Sequence, residues 1–263
     1  MLHELKMFFM FKKYSLLEWM EYRFDFIIGA IAMALVNVVS ILMFYVIFMY
    51  IPLLNGWSFH QVLFIVGFMT LSFGIWHLLC ESMSPWYVEG YIWRGEMDRV
   101  LLLPMSTLGF FFSRSLDLDG LGDLLMGIAI LFYAAINIGI TWTLPMLFLL
   151  GILLFSSFLI YLAINIFFAA FNFFFTRTRA FADLFFRLHV FVKYPIDIYN
   201  PIITFILTFV FPIAFVSYYP SEVFLGQGIY QHLSYLTPLV AAIMFVGAYV
   251  FWKFGVRNYT SVG

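Results

Sequence analysis

The chain has 263 residues, 65% of them apolar and 10% charged, against roughly 45–50% and about 25% in a soluble domain. Phenylalanine alone occurs 36 times, and the net charge is −1. A soluble domain of this size has too little interior for so much apolar surface, which excludes a soluble enzyme, a disordered chain and a nucleic-acid binder.

What remains is an all-α polytopic membrane protein; a membrane β-barrel would need alternating polar residues toward its lumen. Residues 1–25 mix apolar side chains with Glu18, Glu21 and Asp25 at helical spacing. They predict an interfacial amphipathic helix on the bilayer surface, the alternative being a frayed extension of the first span. No short apolar core with a cleavage site opens the chain, so no removable signal peptide is expected. Six stretches then approach the ~20 apolar residues that a crossing needs: about 26–51, 62–79, 121–140, 144–168, 202–218 and 236–254. The fourth stays uncharged to Phe175, so its helix must tilt or project beyond the bilayer. Pro212 would kink or break the fifth. The connection 219–235 carries Pro220, Glu222, Gly226 and Gly228 and suits a short interfacial or re-entrant helix.

Placing the thirteen Lys and Arg residues fixes an orientation. With six spans they all fall before the first span, between the second and third, between the fourth and fifth, or after the sixth. The positive-inside rule makes that side cytoplasmic, with both termini inside. Two connections on it, 81–119 and 176–201, contain apolar helical pieces that need something to pack against.

No spanning core holds Asp, Glu, Lys or Arg, the usual carriers of a coupling ion. The deep polar residues are neutral, among them Asn37, Ser40, Asn137, Ser156, Asn165, Thr204 and Thr208. They are candidates to line a pathway, or else hydrogen-bond between helices. None of the five lysines follows a glycine, so the chain has no P-loop of its own. His77, Cys80 and Glu81 share a helix face and could form half a metal site, or simply a polar helix end. Asp117, Asp119 and Asp123 could bind a cation, or sit at a helix N-terminus favoured by its dipole. No metal or other cofactor is expected on this chain.

Arg94-Gly-Glu-Met-Asp98 followed by Leu101-Leu-Leu-Pro104 resembles the Arg-Gly-x-Leu-Asp…Leu-Leu-x-Pro signature after the second span of the type-2 ATP-binding-cassette (ABC) exporter permeases, in their short six-span branch. Met97 stands where that pattern has Leu. Pro195-Ile-x-Ile-Tyr199 with Pro201, Phe211-Pro-Ile-Ala-Phe215 and Tyr259-Thr-Ser261 are similar to further family segments.

The resemblance implies a non-catalytic permease that pairs with a second permease, identical or homologous, above separate cytosolic ATPase subunits that use ATP and Mg. It implies a multi-pass protein of the cell (inner or cytoplasmic) membrane. Residues 94–104 and 177–199 would couple to the ATPase, with Arg94, Gly95, Glu96, Asp98, Arg99, Pro104, Arg177, Arg179, Asp183, Arg187, Pro195 and Tyr199 as the candidates. The solute would be amphiphilic or hydrophobic. The competing functions are an ATP-independent carrier or channel, a lipid-acting intramembrane enzyme, and a membrane scaffold without transport.

Overall fold

The computed structural model describes residues 2–21, 23–175, 178, 183, 187, 189–227 and 231–261. Among these there is no strand, only one isolated bridge between Leu54 and Trp57. The N-terminal face is built by α1 (Leu2–Glu21), α4 (Pro85–Trp93), α5 (Met97–Leu101) and α6 (Thr107–Arg114). The long helices are α2 (Arg23–Tyr50), α3 (Phe59–Cys80), α7 (Gly120–Ile138), α8 (Leu144–Phe171) and α12 (Thr237–Arg257). These five are long and apolar enough to cross a bilayer, and the chain is an all-α polytopic membrane protein.

α3 is apolar all round, which is the pattern of a helix without a free face. It is accordingly the central element, with Val62, Phe64, Ile65 and Phe68 fully buried. α7 packs along it through glycines: a Cβ on Gly74 would lie 2.5 Å from the backbone N of Leu124, and one on Gly120 2.5 Å from that of Leu78. α8 and α12 run side by side in the same direction, joined by Phe167, Phe171 and Phe174 stacking on Phe251 and Phe254. α2 presents most of its apolar side chains outward, while Asn37 turns inward to bond Asp123 on α7.

The N-terminal segment is a continuous helix, and it does not merely lie on the bilayer. Phe8 and Phe11 stack on Phe112 and Phe110 of α6, Lys12 Nζ donates to the Ser115 carbonyl, and Ser15 Oγ donates to the Arg114 carbonyl. Phe9, Tyr14, Leu16 and Leu17 face outward, as an interfacial helix requires.

The fifth apolar stretch is not one helix. α9 (Pro201–Phe205) continues as a π turn over Ile206–Val210, breaks at Phe211–Pro212, and resumes as a 3₁₀ turn at Ile213–Val216 and α10 (Tyr218–Leu225). Pro212 has no N–H to carry the ladder on, and its ring crowds the preceding turn. Both ends of this segment lie at the far face. Thr204 Oγ1 donates to the Ile196 carbonyl, and Asn55, in the loop before α3, bonds the neighbouring Asp197 carbonyl. At the other end Gln227 bonds Gly56 in the same loop. The tip at Val210–Ile213 reaches Met244 and Gly247 in the middle of α12. Pro201–Leu225 is therefore a re-entrant hairpin, which accounts for the helix expected in the loop that follows.

The chain is at the N-terminal face at Asn172, whose side chain donates to the Pro85 carbonyl at 2.8 Å. By Ile196–Asp197 it is at the far face. Lys193, placed by sequence on the basic side, lies between the two and donates to Ser40 in α2 at 3.2 Å.

Candidate functional site

Residues 81–117 form a knuckle under α3. Ser84 precedes Pro85, the favoured first helical position, and α4 ends at Arg94. Gly95 then takes φ +68, a left-handed conformation natural to glycine. Arg94 Nε donates to the Gly90 carbonyl at 3.1 Å and lies 3.4 Å from Glu96, an exposed pair that contributes little. Met97, the departure from the family pattern, is fully buried with Val100 close by, so an apolar anchor is what the position requires. Asp98 Oδ2 accepts from Ser261 Oγ at 2.6 Å, tying the end of the chain to the knuckle.

On the other side of this turn Trp93 is 69% and Leu102 85% exposed, with Leu101 beside them. Pro104, Arg94 and Arg99 are exposed as well. An apolar tip rimmed by arginines has the composition of an interaction surface. An aromatic plate connects it to the spans. Tyr91 packs on Phe111, Phe111 on Trp252 of α12, and Trp252 on Phe173 at the end of α8, while Trp252 Nε1 donates to Thr107 Oγ1 at 3.0 Å. The plate thereby joins α4, two residues before Trp93, to α8 and α12.

Of the second candidate segment, Thr178 is tied through Asn172 to Pro85 at the start of α4, whereas Pro195 and Tyr199 do not reach this surface. Arg177 and Arg179 lie outside the described residues, and Asp183 and Arg187 are exposed helical positions. Pro195 and Tyr199 flank a 3₁₀ turn at the far face. Nor do the deep polar residues line one channel. Ser156 and Asn165 bond carbonyls of their own helix, and Asn137 does so on an exposed face. Asn37 and Ser40 meet Asp123 and Lys193. Thr204 and Thr208 share a cavity in the hairpin, where Thr208 bonds the Tyr219 hydroxyl at 3.0 Å.

His77 Nδ1 donates to Asp123 Oδ2 at 2.9 Å, whereas Glu81 accepts from Trp86 Nε1. Of the three candidate metal ligands, His77 and Glu81 face different partners and Cys80 is fully buried, and no group of three ligating side chains occurs among the described residues.

The far face carries a cluster that sequence reasoning missed. Asn55 and Gly56 both take positive φ, turning Trp57 inward. Trp57 Nε1 donates to Asp197 Oδ2 at 3.2 Å, and the Tyr218 hydroxyl donates to Asp197 Oδ1. Glu222 is fully buried on α10, with Ser234 Oγ 3.4 Å from its Oε2. Burial raises its pKa to about 7. The only signals in the sequence were the Asn-Gly turn before Trp57 and an acid inside an apolar loop.

Because the folded pKa of Glu222 lies above the ordinary carboxylate value, its contribution is complete in acid and lost as pH rises through about 7. Exchange of amides 218–227, corrected for intrinsic rates, is expected to accelerate from about pH 4.5 and to level off above about pH 7. Glu222→Gln should flatten that dependence. A wild-type profile with no step would refute it.

The profile of the ABC-2 family transporter proteins matches residues 34–263. The chain belongs to the ABC-2 transporter family. No curated protein and no solved structure matches it. The family assignment makes this a membrane component of an ABC transporter, and the Arg94–Pro104 knuckle falls within the ABC-2 match.

Proposed function

We propose that the chain is the permease subunit of an ABC exporter, driven by a separate cytosolic ATPase. The observation that carries this reading is the Trp93–Leu102 knuckle, an exposed apolar tip packed through Phe111 and Trp252 onto the spans. ATPase closure pushes the tip, and the spans switch access because the solute binds their two arrangements differently. ATP and Mg belong to that partner.

The far-face loops hold no Lys or Arg among the described residues, which supports a cytoplasmic N-terminal face with both termini inside. It also supports six crossings, since an even number returns the chain to the face where it began. The membrane is the cell membrane. A second permease, identical or homologous, would cover part of the outward apolar side chains of α2, with the pathway at the joint and an amphiphilic or hydrophobic solute.

One observation favours an ATP-independent carrier: the His77–Asp123 pair is buried. It lies within about a turn of the ends of α3 and α7 and is closed off by Asn37, so a helix clamp suits it better than a transport site.

Tagging the chain and purifying it in mild detergent from its own cells tests the proposal. A P-loop ATPase is expected at fixed stoichiometry. Leu102→Glu should remove it without changing the melting temperature, since the side chain is outside the packing; Asp98→Ala should weaken it. A preparation free of ATPase even after cross-linking would sink the permease reading.

A further inference from the structure

A cavity of about 350 Å³ lies between the 3₁₀ turn at Ile196–Ile198 and the re-entrant hairpin. It is at the small end of the ~300–1,000 Å³ range of ligand sites. Four aromatic rings line it, Tyr199, Phe205, Phe209 and Tyr219, together with Thr208 and Asp197. No Lys, Arg or His lines it. The rings come from separate elements that the far-face bonds hold in place, with Tyr219 buried and fixed to Thr208 at 3.0 Å. Phe205 and Phe209, 57% and 64% exposed, form its open side, their ring centroids 5.2 Å apart.

The partners of Asp197 within the protein are an indole N–H and a phenol O–H. Both orient the carboxylate and neither cancels its charge. The nearest described cation in sequence, Lys193, is turned to Ser40 on α2. The cavity therefore has at one wall an acid with two neutral donors and no ion-pair partner among the described residues, and ring faces around it. Aromatic faces attract a cation through their quadrupoles, most strongly a bulky and weakly hydrated one. A compact, hydrated metal ion would find too few oxygens here.

We propose that this cavity binds the ammonium head of a lipophilic organic cation, with its tail leaving over the exposed faces of Phe205 and Phe209. The binding site needs only this chain. Its role as the release site of the exported solute rests on the permease reading and narrows the solute to amphiphilic cations.

The test uses the full chain, with any subunits that co-purify, in phosphatidylcholine nanodiscs, with empty nanodiscs as the blank. Hexyltrimethylammonium is titrated by calorimetry against hexyl glucoside, a neutral amphiphile with the same tail. Saturable binding is expected for the cation and only partition for the glucoside. Asp197→Asn keeps the shape and should weaken the cation roughly tenfold. Phe209→Leu keeps the bulk, removes the ring and should weaken it about threefold. Phe209 is exposed, so this second variant reports even where Asp197→Asn melts early.

Equal binding of the two amphiphiles, or cation binding indifferent to both substitutions, would overturn the proposal and leave an apolar crevice. Absence of saturable cation binding would overturn it too. Failure of ATPase co-purification with cation binding intact would instead strike the permease reading alone.

Discussion

Gly74→Ala is expected to cost the protein its folded bundle, although alanine is the better helix former by about 1 kcal/mol. The added methyl would lie 2.5 Å from the backbone N of Leu124 and 2.9 Å from the carbonyl carbon of Asp123. Backbone cannot swing aside as a side chain can, so α3 and α7 must separate. The contact is one step of a repeating seam. Gly67 meets the backbone of Leu131, Gly127 that of Leu71, Gly74 that of Leu124 and Gly120 that of Leu78. Each glycine of one helix receives a leucine turn of the other. Close approach is what drives association where lipid removes the hydrophobic difference. Forcing one step open loosens its neighbours, and overpacking of this kind costs about 1–3 kcal/mol or more. Gly247→Ala on α12 is the control, because a Cβ there meets nothing within 4 Å. Melting in detergent should fall sharply for Gly74→Ala and stay level or rise for Gly247→Ala. Equal melting of the two variants would refute the seam.

Uninterrupted apolar runs made most of the spans legible in the sequence. The reading 62–79 became Phe59–Cys80, and 236–254 became Thr237–Arg257. Gly139, at φ +83, ends α7 just before the expected limit. The fifth stretch was different. Hydropathy reports the solvent a segment prefers and not where the chain goes next, so a re-entrant hairpin and a crossing of equal composition read alike. Pro212 marked the break without its direction. The chain that reaches the far face by Ile196 carries Lys193 and Asp197, which dilute its hydropathy. Partners of Asp197 come from far away in sequence, Trp57 being 140 residues distant, and no local spacing reveals them. The knuckle was legible because its motif is local: Met97, Asp98 and Arg99 lie on one short helix. The same locality misled at Pro195–Tyr199, where a motif gave identity without position.

Asp123→Ala is expected to be the most damaging single truncation of a polar side chain in the bundle. Sequence reading offered Asp123 as an acid at a helix start. In the structure it joins three helices: Oδ1 accepts from Asn37 Nδ2 of α2 at 2.7 Å, and Oδ2 accepts from His77 Nδ1 of α3 at 2.9 Å. Both Asp123 and His77 are more than nine-tenths buried. Removing the carboxylate strands the buried imidazole of His77, while the Asn37 amide keeps the Met33 carbonyl, and breaking a buried pair from one side costs about 3–5 kcal/mol. Asp123→Asn should cost far less. Its oxygen still accepts from Asn37, and its amide can donate to the other tautomer of His77. Combining Asp123→Ala with His77→Phe should recover part of the loss, because the stranded imidazole is gone and a ring still packs beside Phe73 and Trp76. Unfolding in mixed micelles, followed for all three variants, reads the order directly. If Asp123→Ala and Asp123→Asn unfold alike, the carboxylate is not the clamp. If the double variant is no better than Asp123→Ala, the loss comes from the cavity left behind and not from the unpaired histidine.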